Sequence, residues 1–168
     1  MADEQRLQFF RGADAPGLVE SGVMAMGPMT PEQRGGMQKL VEAGYLAGDE
    51  VEVLVNIPGF SLTRAWLKKD YPLLLHSHDS DCLYYVVAGS LEMGVEKLGP
   101  GDSFFVPGGA AYSYRPGPDG VEVLEFRHAN QFDFQNLTKN EAFYEKAAQT
   151  VAANLDGWRH AKRPVAGG

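Results

Sequence analysis

The chain of 168 residues has a single cysteine, Cys82, so no disulfide can form within it. It has no apolar run near the ~20 residues that cross a bilayer as a helix. Its opening stretch, Met1-Ala2-Asp3-Glu4-Gln5-Arg6, lacks the basic start and apolar core of a signal peptide. Positive charge is the minority sign: 15 Lys and Arg stand against 22 Asp and Glu, a formal net charge of −7. That balance argues against nucleic acid or an anionic membrane as partner. The one basic cluster, Arg159-His160-Ala161-Lys162-Arg163, lies in a Gly-ending tail and reads as a solvated terminus. The chain also lacks a Gly-x-Ser-x-Gly elbow, a P-loop, a His-Glu-x-x-His helix and a Rossmann glycine pattern after a strand. Serine-hydrolase, phosphate-loop, zincin and dinucleotide chemistries therefore have no motif to rest on. A soluble cytoplasmic protein is the expectation.

What is present is ordinary globular composition, 44% hydrophobic and 22% charged, with 20 glycines and 10 prolines that favour many turns. The length suits one domain with a real core. Residues 1–29 are rich in Gly, Met and Pro and show no sustained period. Within them, Leu18 to Met29 is an outlying strand or an arm reaching a neighbouring subunit. A helix start follows, with Thr30 as cap, Pro31 in the first helical position and Gln33 at capping-box spacing. Met37, Leu40 and Val41 share a face and Gly44 can end the helix, although Gly35 and Gly36 weaken it.

From Val51 to His128 the pattern becomes short extended runs rich in Val, Leu, Tyr and Phe. They are Val51 to Ile57, Ser61 to Lys68, Leu73 to His76, Cys82 to Ala88, Ser90 to Leu98, Ser103 to Val106, Ala111 to Arg115 and Val121 to Arg127. Turn residues separate several of them, as at Pro58-Gly59, Gly99-Pro100-Gly101-Asp102, Pro107-Gly108-Gly109 and Pro116-Gly117-Pro118-Asp119-Gly120. Such strands suggest a double-sheet jelly roll or barrel. Asn140 to Leu155 forms a closing helix, with Thr138 and Glu141 at cap spacing and an apolar stripe of Tyr144, Ala148, Val151 and Leu155. The expected organisation is an N-terminal arm and short helix over 1–50, a barrel over 51–128, and a C-terminal helix and tail over 129–168.

The chemistry-bearing signal is His76-Ser77-His78, half of the chain's four histidines. On a strand, residues two apart face the same way, so both imidazoles can hold one metal ion. The stretch from His76 to Gly89, closing with Tyr85-Val86-Val87-Ala88-Gly89, resembles the first motif of the cupin family. Gly101-Asp102-Ser103-Phe104-Phe105-Val106-Pro107-Gly108-Gly109 resembles the second. The likeness covers the predicted strands from Val51 to His128, and it implies an all-β fold: a cupin-like double-stranded β-helix, or jelly-roll barrel, with flanking helices. It also implies a metal site on the inner wall, built in the family from three His and one Glu. Here His76 and His78 fill two slots, the Glu slot falls on Cys82, and the motif-two His slot falls on Tyr112. The upstream Gly position holds Asp70 and the Asn slot Pro116, further departures.

Cys82 is a thiolate ligand or a small buried hydrophobe. Tyr112 is a packed aromatic, a weak ligand or, by analogy with some cupin lyases, a proton-transfer group whose pKa a nearby cation lowers. His128 replaces the missing histidine or caps a strand at the surface. A hairpin from Tyr112 about Gly117 to Gly120 would return the chain to Tyr112's level, with either Glu125 and Arg127 or Phe126 and His128 facing inward. Asp79 and Asp81 are loop carboxylates or acceptors that fix the histidine tautomers. Arg64 and Lys68 meet an anionic substrate or form an outward charged face.

The function expected is a metal-dependent enzyme. It would hold Fe, Zn, Ni or Mn on His76 and His78, with Cys82 and His128 as further candidate ligands and Tyr112 as catalytic proton shuttle. Its substrate would be a small enolisable, hydroxylated or aromatic molecule, and its reaction dioxygenase-type cleavage or isomerase or lyase chemistry. The alternative is a non-catalytic cupin with a degenerate metal site that binds a small ligand. Assembly is expected to be a homodimer to which residues 18–29 contribute.

Overall fold

The computed structural model describes residues 6–165. Nine strands and three α-helices are present among them: α1 Leu18–Ser21, β1 Met24–Met26, α2 Pro31–Ala43, β2 Asp49–Ile57, β3 Phe60–Leu67, β4 His76–Ser77, β5 Cys82–Met93, β6 Glu96–Leu98, β7 Ser103–Val106, β8 Arg115–Arg127, β9 Phe132–Asn136 and α3 Glu141–His160. A six-stranded sheet runs in the order β2-β3-β8-β5-β6, with β7 also paired to β5. A three-stranded sheet of β1, β9 and β4 makes the second layer, and the two together form a jelly-roll barrel.

Alternation along the strands places the core. On β5, Cys82, Tyr84, Val86 and Ala88 are buried, while Leu83 and Tyr85 between them are exposed. On β8, Val121 and Val123 are fully buried. Taking those two valines out of water sets the strand's parity, so Glu125 and Arg127 are carried to the same inner face. His128, one step later, is exposed.

Two local readings change. The Pro116–Gly120 stretch, expected to be a turn, lies inside β8, where Leu91 pairs Pro116 and Gly89 pairs Val121 with a register shift between them. The shift bends the strand pair instead of ending it. Gly89 has φ +71 and its Cα lies against the Gly120 carbonyl, so no side chain fits there. The second change is β9, which the sequence reading left in the C-terminal segment. It pairs in parallel with β1 and antiparallel with β4. The segment read as an outlying strand or intersubunit arm is therefore used within its own barrel.

The two longer helices, α2 and α3, lie on the outside of the barrel and pack on each other. The α2 capping box forms as expected: Thr30 accepts from the Gln33 amide and the Gln33 side chain accepts from the Thr30 amide, with Gly44 at φ +106 closing the helix. Gln33 is also buried, and its Nε2 donates to the Asn136 carbonyl at 2.7 Å, tying α2 to β9. For α3 the cap is Asn140, not Thr138, and the helix continues through Gly157 to His160. Thr138 instead accepts from the Leu75 amide at 3.0 Å.

Candidate active site

A cavity of about 260 Å³ lies between the two sheets. The short β4 brings His76 to it, and His78 follows just beyond the strand's end; both are buried. The Nδ1 of His76 lies 2.7 Å from the Leu74 carbonyl, and that of His78 lies 2.5 Å from the Asp133 carbonyl. A carbonyl oxygen can only accept, so each Nδ1 carries the proton and each Nε2 keeps a bare lone pair. Burial drives the His76 pKa from 6.5 down to about 4, and burial together with the Arg127 charge lowers that of His78. Both rings are neutral at physiological pH, the form in which imidazole binds metals. Their centroids are 5.0 Å apart.

Tyr112 joins them. Its backbone exchanges two hydrogen bonds with His76, at 3.2 and 3.0 Å, and its ring centroid is 4.4 Å from the His76 ring. The Tyr112 and Tyr84 hydroxyls are hydrogen-bonded to each other. Burial, followed by the Glu125 charge, pushes both phenols up, so in the protein's own field Tyr112 stays protonated. In that state the group is a hydrogen-bond donor.

Below the phenols lies an ion pair. Arg127, its side chain 1% exposed, donates to Glu125 at 2.7 Å, and Thr63 donates to the same carboxylate at 2.9 Å. Burial alone would raise Glu125, but the Arg127 charge and these hydrogen bonds hold it below the usual carboxylate value. The Glu125 charge in turn keeps Arg127 ionised despite its burial. Arg127 also lies over the Phe132 ring, 4.0 Å from its centroid.

The other candidates separate. Cys82 faces inward on β5 but sits in the apolar core opposite Val106 and Arg127, and it is not among the residues lining the cavity. Burial, then the Glu125 charge, pushes its thiol up to about 12, so it packs as a neutral group. His128 is turned outward by the β8 parity and does not reach the histidine pair. Among the described residues, no three of the His, Cys, Asp and Glu side chains come together as a metal-binding group. Asp79 and Asp133 exchange backbone–carboxylate hydrogen bonds at 2.7 and 2.9 Å, and Asp81 accepts from the Gly108 amide. These carboxylates hold loops; the histidine tautomers are set by backbone carbonyls. Arg64 pairs with Glu52, and Lys68 donates to the Ala47 and Trp158 carbonyls, so neither meets the cavity.

The sequence reading missed Phe132 and Phe134 on β9. Phe134 stacks on His76 at 4.7 Å, and Phe132 meets His78 edge-on at 5.5 Å. The alternation Phe132-Asp133-Phe134-Gln135 was the available signal. The donor set fits a metal ion in a limited way: two neutral imidazoles with free Nε2 atoms beside a phenol, with the remaining positions left for water or substrate oxygens. It is one protein ligand short of the three that hold an open catalytic zinc site.

No protein-family model matches the chain, and no curated protein matches it. Solved structures do. The polyketide cyclase RemF from Streptomyces resistomycificus is 21% identical, with 64% of this chain and 84% of that one covered and a TM-score of 0.52. KdgF from Halomonas is 17% identical, over 73% of this chain and 94% of that one, with a TM-score of 0.46. An RmlC-like cupin from Shewanella frigidimarina is 24% identical, over 48% and 76%, with a TM-score of 0.43. At 21% identity and a TM-score of 0.52, the likeness to the cyclase shows the fold alone.

Proposed function

Proceeding from the cupin-like jelly roll that this chain folds into, we propose that it is a small-molecule enzyme whose reaction chamber is the cavity between its sheets. A divalent transition metal (Fe, Zn, Ni or Mn) is held there by His76 and His78. The substrate is a small hydroxylated, enolisable or aromatic molecule. The single observation that carries this reading is the pinning of both Nδ1 atoms to backbone carbonyls, which leaves two neutral Nε2 donors beside the Tyr112 phenol. A polyketide cyclase is among the proteins that share the fold.

When bound, such an ion supplies Lewis-acid polarisation of a substrate oxygen, or oxygen chemistry if it is iron. The protein's own groups do the rest. His76 and His78 are held in one tautomer by the backbone. Tyr112 carries a proton it can give to an oxygen developing negative charge, and the Tyr84 hydroxyl can hydrogen-bond the phenolate left behind. The Arg127–Glu125 pair fixes the floor electrostatically, and the surrounding Phe and Met side chains exclude water. The setting we propose is the cytoplasm. No helix among the described residues is long and apolar enough to cross a membrane. Assembly is proposed as a homodimer, to be checked by light scattering, with the 18–29 segment acting within each barrel.

The test is metal analysis of protein purified without added metal. Stoichiometric metal, lost in the His76→Ala/His78→Ala double variant, is the expected result. Protein that carries none and takes up none of Fe, Zn, Ni or Mn would leave only the ligand-binding alternative.

A further inference from the structure

The walls of the same cavity narrow the substrate class, on the premise that this cavity is the active site. An apolar cavity of about 150 Å³ takes up a benzene ring. At about 260 Å³ this one has room for about two fused rings. Four of the chain's six methionines, Met24, Met26, Met29 and Met37, line it. Thioethers on flexible stems adapt to the faces and edges of aromatic rings. Phe134, already stacked on His76, adds a flat surface beside the polar end.

Charge is the more selective feature. Besides the two imidazoles, whose Nδ1 atoms meet backbone carbonyls, the ionisable acids and bases at the wall are Arg127, Glu125 and Asp49, apart from the buried tyrosines. Arg127 is already answered by Glu125 at 2.7 Å, and Asp49 adds a second acid. A carboxylate or phosphate would meet no spare cation on the protein, and burying an unpaired anion costs far more than burying a ring. The Tyr112 phenol at the wall can meet a carbonyl or hydroxyl oxygen without bringing charge.

We infer that the cavity selects an uncharged, hydroxylated or ketonic aromatic of about two rings, bedded among the methionines, and rejects carboxylates and phosphates of equal size. The test uses beta-naphthol and beta-naphthoate, which match in shape and differ in charge. Each is titrated calorimetrically into the full chain after chelator treatment, so that no bound ion answers the carboxylate. Naphthol should bind about tenfold tighter or more. Equal affinity, or a preference for naphthoate, overturns the inference.

Two variants locate the selectivity. Glu125→Gln leaves Arg127 unanswered and should raise naphthoate affinity about tenfold; an unchanged preference counts against the inference. Ala65→Leu narrows the cavity from a buried wall position and should weaken naphthol about fivefold or more while sparing phenol. Equal binding of both by that variant overturns the size limit, and it keeps the site testable if the Glu125 variant does not fold. The metal reading fails separately: naphthol bound by a protein that takes no metal sinks the metalloenzyme alone. Metal retained without naphthol binding sinks this inference alone.

Discussion

Asp49 stands at the cavity wall with its carboxyl pushed up to about 6, because burial outweighs the attraction of Lys68. Its ordinary value is 3.8, so between these two values the folded protein holds a proton that the unfolded chain has released. A folded-state pKa raised in this way gives stability that is full below pH 3.8 and lost as pH rises through about 6. Asp49→Asn removes that loss. The variant should exceed the parent in stability by up to roughly 2 kcal/mol at pH 8, with the two converging near pH 4. Urea melts at the two pH values measure it, and a difference independent of pH would contradict the assignment. At this scale the histidine pair was legible in the sequence, because i,i+2 parity is a local property of an extended chain. The Tyr112 slot was legible from the motif spacing. For Cys82 and His128 the sequence left two alternatives each, a ligand or a buried packing group for the one and a ligand or a surface residue for the other. For His128 the means were present: Val121 and Val123 had to face inward, which turns position 128 outward.

At the scale of elements, the two glycines that weakened the expected α2 turn out to be different. Gly36 is buried, and an added Cβ would run into the ring of Tyr144 on α3. Gly35 faces open space with ordinary helical backbone. Gly35→Ala should therefore stabilise by roughly 0.5–1 kcal/mol through helix propensity alone. Gly36→Ala should destabilise by about 1–3 kcal/mol, because the helix pair must separate. Denaturant melts of the two single variants decide this, and shifts of the same sign would show that the helices do not approach as described. Helix propensity penalises both positions alike; only the neighbouring helix tells them apart. The same limit applies to Pro116–Gly120. Pro and Gly mark a chain that bends, but pairing with β5 decides that the bend is a bulge within one strand.

At the scale of the molecule, the cavity needs both sheets, and the smaller one is assembled from distant parts of the chain. Leu18, Met24, Met26 and Met29 all line the cavity, and β1 pairs with β9, which carries Phe132 and Phe134. Removing residues 1–29 should expose that aromatic face and lower the thermal midpoint, with binding of an apolar dye under native conditions. A truncated chain that melts like the parent and ignores the dye would mean the N-terminal segment is dispensable to the barrel. Sequence by itself determined the period-two strands, their Gly- and Pro-rich separations, and a histidine pair that faces one side, because each depends on neighbours a few residues away. Tertiary structure alone decided what surrounds that pair. The Asp133 carbonyl that fixes His78 comes from 55 positions downstream, and the Arg127–Glu125 pair arrives on a strand whose parity is set by its own valines. Contacts of that range follow from how two sheets close over a core, and no local pattern records the closure.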